Sequence, residues 1–305
     1  MRITVTGGAG FIGGHLLKAL LESGNHELVV LDNLRTRRPL AAGLARAVEF
    51  RRHDIRDPDA LHKALRGCEV VYHLAAQSNV AGSLEDPDYS FASNVAGTYN
   101  VLRAASQAGL RRVVFTSSRE VYGEPEVLPA GESAPLRPSS PYGASKAAGE
   151  MYCQFYARES EVTVVRLANV YGAGDCGRVI PLFIENALRG DPLVVYGGGQ
   201  LLDFVAVATV VRALVRIGLG PFVAGPLNIG SGTGTTLQDL GNRIVAAAGS
   251  RSRVTIGPRR PCEVMRYVAD IGRAQAAIGL ERPADPLWQL PECIEWARGA
   301  LERAA

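Results

Sequence analysis

The sequence predicts an α/β fold, a doubly wound parallel sheet with a smaller C-terminal lobe, and three observations predict it. Apolar, β-branched runs alternate with helical stretches through the first half of the chain; a glycine-rich turn joins the first run to the first helix; and past Asn169 the alternation gives way to glycine- and proline-rich loops. Strands are expected near residues 2–6, 27–31, 47–50, 70–74, 112–117 and 162–167. Strands separated by helices build a parallel sheet through right-handed crossovers. A chain of 305 residues can bury a sizeable core and fits one such domain plus a lobe. The dinucleotide-binding domain is expected over 1–168, with elements from about 203–222 returning to it, and 169–305 is expected to be mainly the substrate-binding lobe. Loops at 172–177, 197–199 and 257–261 punctuate that lobe.

The first strand, Arg2-Ile3-Thr4-Val5-Thr6, runs into Gly7-Gly8-Ala9-Gly10-Phe11-Ile12-Gly13 and then into a helix through Leu16, Leu17, Leu20 and Leu21. Gly7, Gly10 and Gly13 allow a tight turn, close approach of a pyrophosphate, and packing of helix on strand. The helix N-terminus offers unpaired N–H groups and the positive end of its dipole, with Phe11 and Ile12 in its first turn. A second apolar strand ends on Asp32, followed by Asn33, at the spacing of a ribose-binding carboxylate. Such a carboxylate accepts bonds from both ribose hydroxyls and repels a 2′-phosphate, which favours NAD over NADP, although Arg35, Arg37 and Arg38 follow closely and are able to host a phosphate.

The second informative stretch is Tyr142-Gly143-Ala144-Ser145-Lys146. Positions i and i+4 share a helix face, so Tyr142 and Lys146 can lie side by side. A neighbouring ammonium favours the phenolate, which gives a base for a hydroxyl proton near neutral pH. Upstream, Val113-Val114-Phe115-Thr116-Ser117-Ser118 reads as a strand ending in hydroxyl residues at the carboxyl edge of the sheet, where Ser118 can hydrogen-bond the same substrate oxygen. A Tyr-x-x-x-Lys alone is commonplace; the glycine turn and the hydroxyl strand end ahead of it give it weight. The two sites together indicate oxidoreductase chemistry on a carbon bearing a hydroxyl.

These pieces, in this order, resemble the extended short-chain dehydrogenase/reductases, and within them the nucleotide-sugar epimerases and dehydratases, UDP-galactose 4-epimerases included. The resemblance covers nearly the whole chain: Thr6 to Gly13, Leu31-Asp32-Asn33-Leu34, Asp54-Ile55-Arg56-Asp57, His73-Leu74-Ala75-Ala76, Asn94 to Thr98, Ser117-Ser118 before Val121-Tyr122-Gly123, Pro141 to Lys146, Arg166 to Gly172, and Asn228 to Gly232. It implies a Rossmann-like fold, bound NAD and a nucleotide-diphosphate sugar as partner. It further implies that Asp54 and Ile55 flank the adenine, that Leu74, Ala75, Ala76 and Thr116 line the cofactor channel, and that Asn94 ties the active-site strand in place. Ser118, Tyr142 and Lys146 match catalytic positions; Asn169 and Arg260 match diphosphate contacts; Val179-Ile180-Pro181 match a segment laid along the substrate; Tyr267 matches a sugar-pocket tyrosine, and Tyr196 joins the substrate set.

Departures bear on the reaction. Leu202 stands where the family usually carries an arginine that clamps a diphosphate oxygen, and a leucine cannot make that charge-assisted contact. Arg178, Arg259 and Arg266 are candidate substitutes, unless Leu202 merely packs. Ala206, Ala208, Thr209 and Cys262-Glu263 also depart from the usual pattern. At Ser118-Arg119-Glu120, dehydratases of the family place an Asp-Glu pair; Arg119 cannot be the acid, yet Glu120 is retained and resembles the glutamate of dehydratases and glucuronate-nucleotide decarboxylases. The first reading is therefore a 4-epimerase in which Tyr142 takes the 4-hydroxyl proton and a 4-keto sugar forms before hydride returns. The alternatives are a dehydratase, or a uronate decarboxylase or 4-epimerase in which Arg119 reads a carboxylate, or a dinucleotide-binding sensor without turnover. In the plainest reading Arg119 faces solvent and Glu120 pairs with it.

Net charge of +3 with mixed signs leaves no nucleic-acid footprint. The five cysteines, Cys68, Cys153, Cys176, Cys262 and Cys293, are widely spaced, which suits a reducing cytoplasm and no structural zinc, and the five histidines lack ligand spacing, so no metal is expected. The chain opens directly into a strand, so no signal peptide is expected, and no apolar run is long enough to span a membrane. The alanine-rich helices around 90–107 and 142–158 carry apolar residues on more than one face, and in the family such helices build a homodimer's four-helix bundle.

Overall fold

The structure is a computed structural model that describes residues 1–36, 40–259 and 264–304. In chain order the first elements are β1 (Arg2–Thr6), α1 (Phe11–Ser23), β2 (Glu27–Asp32), α2 (Ala42–Ala47), β3 (Glu49–Arg52), α3 (Pro58–Leu65) and β4 (Val70–His73). Then come α4 (Val80–Glu85), α5 (Pro87–Phe91), a π-helical turn at Ala92–Ala96, α6 (Gly97–Gln107), β5 (Arg112–Ser118), a 3-10 turn at Arg119–Val121, α7 (Pro141–Tyr156) and β6 (Glu161–Leu167). The rest comprises β7 (Asn169–Tyr171), α8 (Val179–Arg189), β8 (Leu193–Tyr196), β9 (Leu201–Ala206), α9 (Val207–Leu219), β10 (Gly225–Ile229), β11 (Gly234–Thr236), α10 (Leu237–Ala248), β12 (Val254–Gly257), β13 (Arg266–Tyr267), α11 (Gly272–Ile278) and α12 (Leu290–Ala304).

Seven strands form one sheet in the order β10-β6-β5-β4-β1-β2-β3, every neighbouring pair parallel. A parallel sheet covered on both faces needs strands that are apolar throughout; all seven residues of β5 are buried, as are all four of β4. The six strands read from the sequence are all present, within a residue or two. β10 escapes the pattern because it is a short Gly-Pro-Leu-Asn-Ile stretch with no alternation, yet it pairs with β6 and extends the sheet. The strand order reverses between β1 and β4, so their carboxyl ends open a crevice, the place where ligands bind in doubly wound sheets.

A second layer supports the site from the other side. β9 pairs antiparallel with β11 and parallel with β7 and β13, while β8 and β12 form a separate parallel pair. Asp203, fully buried on β9, accepts the backbone N–H groups of Ser231, Gly232 and Ala269 and the Ser231 hydroxyl, and so joins β9 to the segments after β10 and β13. The chain also returns to the main sheet through α9, which packs on α1. Arg112, 1% exposed, donates Nη1 to the carbonyls of Ile217, Gly218 and Gly220 at the end of α9 and pairs with Glu161. A cation there satisfies carbonyls that the helix leaves open and complements the negative end of its dipole.

Candidate active site

The crevice is a cavity of about 900 Å³ that runs from Asp54 and Ile55, past Asp32 and the glycine turn, to Ser118, Tyr142 and Lys146, and on to Asn169 and Arg178. At its first end Gly7 has φ +72°, and a Cβ there would lie 2.7 Å from the Ala75 nitrogen. A Cβ on Gly13 would lie 2.3 Å from the Gly7 carbonyl oxygen, so only glycine lets α1 start this close to β1. Asp32 does more than face a ligand. Its Oδ2 accepts from Ala9 N–H at 3.0 Å and its Oδ1 from Leu34 N–H at 2.8 Å, which locks the glycine turn to the end of β2. Leu34 takes a positive φ of 57° to do so, an unusual conformation for a branched side chain.

Asn33 donates to Asp54, and Arg56 donates to both Asp54 carboxylate oxygens, which holds that carboxyl well below the usual carboxylate range. Arg35 lies 3.7 Å over the Tyr89 ring and 3.7 Å from Asp86; Arg37 and Arg38 lie outside the described residues. The Tyr89 platform, flanked also by Arg56 at 5.1 Å, carries no signal in the sequence that would single it out.

Leu74, Ala75, Ala76 and Thr116 line the middle of the cavity, and Phe11 and Ile12 line it from the start of α1. Asn94 lies behind the wall. Fully buried in the π-helical turn, it accepts from Gln77 N–H at 2.8 Å and donates to the Gln77 carbonyl and to Ser145 Oγ, both at 2.9 Å. It ties the loop after β4 to the helix of Tyr142, where a role on the active-site strand was expected. A π-helical insertion commonly marks a functional position.

At the far end Ser118 and Tyr142 line the cavity together, the Ser83 hydroxyl accepts the Tyr142 backbone N–H at 3.1 Å, and Ser140 caps α7. Burial pushes the Tyr142 phenol above its ordinary value, with the Ser118 hydrogen bond and the Arg178 charge acting in the opposite sense. Lys146 Nζ donates to the Thr116 carbonyl at 2.8 Å and lies 4.9 Å from the Phe115 ring centre. Burial lowers it to about 8. His73, behind both, sits between the Thr6 and Thr98 hydroxyls, and burial, with Lys146 nearby, drives it down to about 3.

Arg119 and Glu120 line the same cavity as a buried ion pair, so the reading in which Arg119 faces solvent does not hold. Asn169 accepts from Arg119 and donates to the Asp203 carbonyl. Val179 and Ile180, at the start of α8, line the cavity, and of the three arginines weighed against Leu202, Arg178 reaches it, 3.2 Å from Asp175. Leu202 packs, 7% exposed, in the core cluster of β9. Tyr267 is fully buried, stacked on Tyr122 at 5.9 Å, and reaches the site only through Arg119. Tyr196 sits on the β8–β12 pair away from the cavity, and Arg260 lies outside the described residues.

The model of the NAD dependent epimerase/dehydratase family matches residues 3–230. The chain belongs to this family. Similar family members catalyse different reactions. A UDP-glucose 4-epimerase of Mycolicibacterium smegmatis is 38% identical over 298 residues, which is 92% of this chain and 93% of that protein. A UDP-glucuronic acid decarboxylase 1 of Danio rerio is 31% identical over 316 residues, 100% of this chain and 74% of the relative. The crystal structure of DesIV, a dTDP-glucose 4,6-dehydratase from Streptomyces venezuelae with NAD and TYD bound, superposes with a TM-score of 0.92 at 33% identity, covering 99% of this chain and 98% of that one. Family membership makes this chain an NAD-dependent sugar-nucleotide enzyme. The glycine turn, the Asp32 carboxylate and the length of the cavity fit that cofactor: the turn leaves room for a pyrophosphate, and the carboxylate oxygens each retain a lone pair for a ribose hydroxyl. Among the described residues no helix is long and apolar enough to cross a membrane.

Proposed function

We propose that the protein is an NAD-dependent nucleotide-sugar 4-epimerase. The observation that carries this reading is the placement of Ser118 and Tyr142 together at the end of one continuous cavity that begins at the glycine turn, with Lys146 one helical turn along. When bound, NAD supplies a reversible hydride acceptor. Tyr142 takes the proton of the sugar 4-hydroxyl and later returns it, Ser118 orients the same oxygen, and Lys146 holds its Thr116 contact and offers its remaining N–H groups to a ribose. The substrate turns over as a 4-keto sugar between the two proton transfers, so no net oxidation remains. Asn169 and Arg178 take the diphosphate, Arg178 replacing the arginine absent at Leu202; a bidentate guanidinium suits that role.

A second reading has one observation in its favour: Glu120 lines the cavity beside Tyr142, where a carboxylate has a place in elimination or decarboxylation. Incubating the protein with NAD in deuterated water and following UDP-glucose, UDP-galactose, dTDP-glucose and UDP-glucuronic acid by NMR separates the two. A new C4 epimer free of solvent deuterium supports the epimerase; loss of water or carbon dioxide replaces it with the second reading.

On the same reading the enzyme works as a homodimer in the cytoplasm. Phe91 of α5 and Met151, Tyr152 and Phe155 of α7 are exposed apolar side chains on the helices expected to form the bundle. Exposed patches of this kind mark interfaces. Cys68, Cys153 and Cys293 are buried free thiols, which suits a reducing compartment.

A further inference from the structure

Arg119 Nη2 meets Glu120 Oε1 at 2.8 Å, with side chains 11% and 10% exposed. Both stand on the 3-10 turn that follows Ser118, whose hydroxyl accepts the Glu120 N–H, so the pair is fixed immediately beside the group that contacts Tyr142. The guanidinium is held from two further directions: Nε donates to Asn169 Oδ1 at 3.3 Å, and the Tyr267 ring centre lies 5.7 Å from its central carbon. Nη1 is buried without a hydrogen-bond partner.

A buried ion pair adds little net stability, because desolvating two charges offsets most of their attraction. The chemistry of the site gives it a better reason to exist. A ketone at sugar C4 acidifies the hydrogen on C5. A free carboxylate beside the sugar removes that proton, the C–H electron pair moves onto the C4 oxygen as an enolate, and reprotonation from solvent completes an exchange. If instead the C6–oxygen bond breaks, the electron pair forms a C5–C6 double bond and the hydroxyl departs, with the proton, as water. Either event diverts a 4-keto sugar from the return of hydride.

We propose that Arg119 disarms Glu120: by pairing its charge with the carboxylate through Nη2, the arginine confines the reaction to C4 and is a specificity-determining residue of this site. The inference rests on the reading in which a 4-keto sugar forms. It also disfavours a uronate substrate, since Glu120 already supplies the anion that a sugar carboxylate would have to displace.

The test compares wild type, Arg119→Met, Arg119→Lys and the double variant Arg119→Met/Glu120→Gln, each with NAD in deuterated water and, in separate incubations, UDP-galactose, UDP-glucose, dTDP-glucose and UDP-glucuronic acid. NMR gives C5 deuterium, and any 4-keto-6-deoxy product, per C4 epimerisation. Wild type is expected at background, Arg119→Met at least tenfold higher, Arg119→Lys in between, and the double variant back at background. Flat C5 deuterium in both single variants overturns the proposal, as does a double variant as high as Arg119→Met, or elimination by the wild type. Where Arg119→Met does not accumulate as folded protein, Arg119→Lys decides by the same criterion: C5 deuterium above the wild type supports the proposal, and C5 deuterium at background overturns it. If wild type oxidises none of the nucleotide sugars at C4, the underlying reading fails instead, and the absence of any turnover separates the two failures. A loss of kcat/KM confined to UDP-glucuronic acid in Arg119→Met, with C5 deuterium unchanged, overturns the proposal in favour of carboxylate recognition.

Discussion

Glu150 and Arg166 form a buried ion pair behind the site. Arg166 Nη2 lies 2.7 Å from Glu150 Oε2 and Nε 3.0 Å from Oε1, and the side chains are 2% and 4% exposed. Glu150 stands one helical turn past Lys146 on α7, and Arg166 lies near the end of β6. Ser117, the neighbour of Ser118 on β5, donates to Glu150 at 2.5 Å, and Arg166 Nη1 donates to the Tyr122 hydroxyl and the Glu132 carbonyl. The pair therefore bolts the helix carrying Tyr142 and Lys146 to β6, and the Ser117 bond to Glu150 ties that helix to β5, the strand that ends on Ser118. The distance between proton acceptor and orienting hydroxyl depends on it.

Removing one member leaves an uncompensated buried charge, which costs about 3–5 kcal/mol. Glu150→Leu is accordingly expected to lower the urea midpoint sharply. The double variant Glu150→Leu/Arg166→Met, which removes both charges and keeps apolar volume, is expected to recover part of that loss. Equal midpoints for the single and double variants in urea titrations would show that the ionic contact is not what holds α7 to β6.

Tyr142→Phe keeps the ring and removes the proton acceptor. Positioned acid–base groups contribute about 10²–10⁴ in rate, so kcat is expected to fall by that order. NAD affinity, read by fluorescence titration, should stay within about fivefold, since one neutral hydrogen bond is worth about 1 kcal/mol. Because burial raises the phenol, kcat/KM is expected to climb toward alkaline pH, where the base is ionised. Ser118→Ala deletes the hydroxyl that opposes that rise, so its limb should lie at higher pH than the wild type's. A limb that stays in place refutes the coupling.

The apolar face of α7 is tested by Phe155→Glu, a charge placed on an exposed ring. Light scattering is expected to show a dimer for the wild type and a monomer for the variant, with circular dichroism unchanged. A wild-type monomer removes the dimer from the proposed function.

The glycine turn, Asp32, Ser118, Tyr142 and Lys146 were legible in the sequence because each rests on a local pattern: a strand, a turn that only glycine makes, or an i, i+4 pair. What the sequence could not carry was direction. Lys146 has the right spacing for Tyr142, yet the nearest strong acceptor is the Thr116 carbonyl on a strand far away in sequence. Tyr196 and Tyr267 look like pocket residues by position, but their strands, β8 and β13, turn them elsewhere. Arg166 was visible only as a residue inside a motif and Glu150 not at all, because nothing local says that two charges will meet in the core. Asp32 was seen as a ligand and missed as the clamp of its own turn, since the Ala9 and Leu34 N–H groups reach it only once the turn is closed.

His73 gives the prediction with the most definite sign. Its ring is 1% exposed, one nitrogen 2.8 Å from the Thr6 hydroxyl and the other 3.0 Å from that of Thr98, an arrangement that a neutral ring, with one donor and one acceptor, satisfies. Burial, and Lys146 after it, depresses the group from 6.5 to about 3. Between those values the unfolded chain binds a proton at this position that the folded chain does not, so stability rises with pH across the window and is lost as pH falls through it. One such group contributes a slope of about 1.4 kcal/mol per pH unit in mid-window. His73→Gln keeps a donor and an acceptor but cannot titrate. Whatever it costs at pH 7, its stability should fall less steeply than the wild type's between about pH 6 and pH 4, by about one proton's worth of slope. Urea titrations at half-unit steps read that difference, and parallel slopes would mean that His73 is protonated inside the fold.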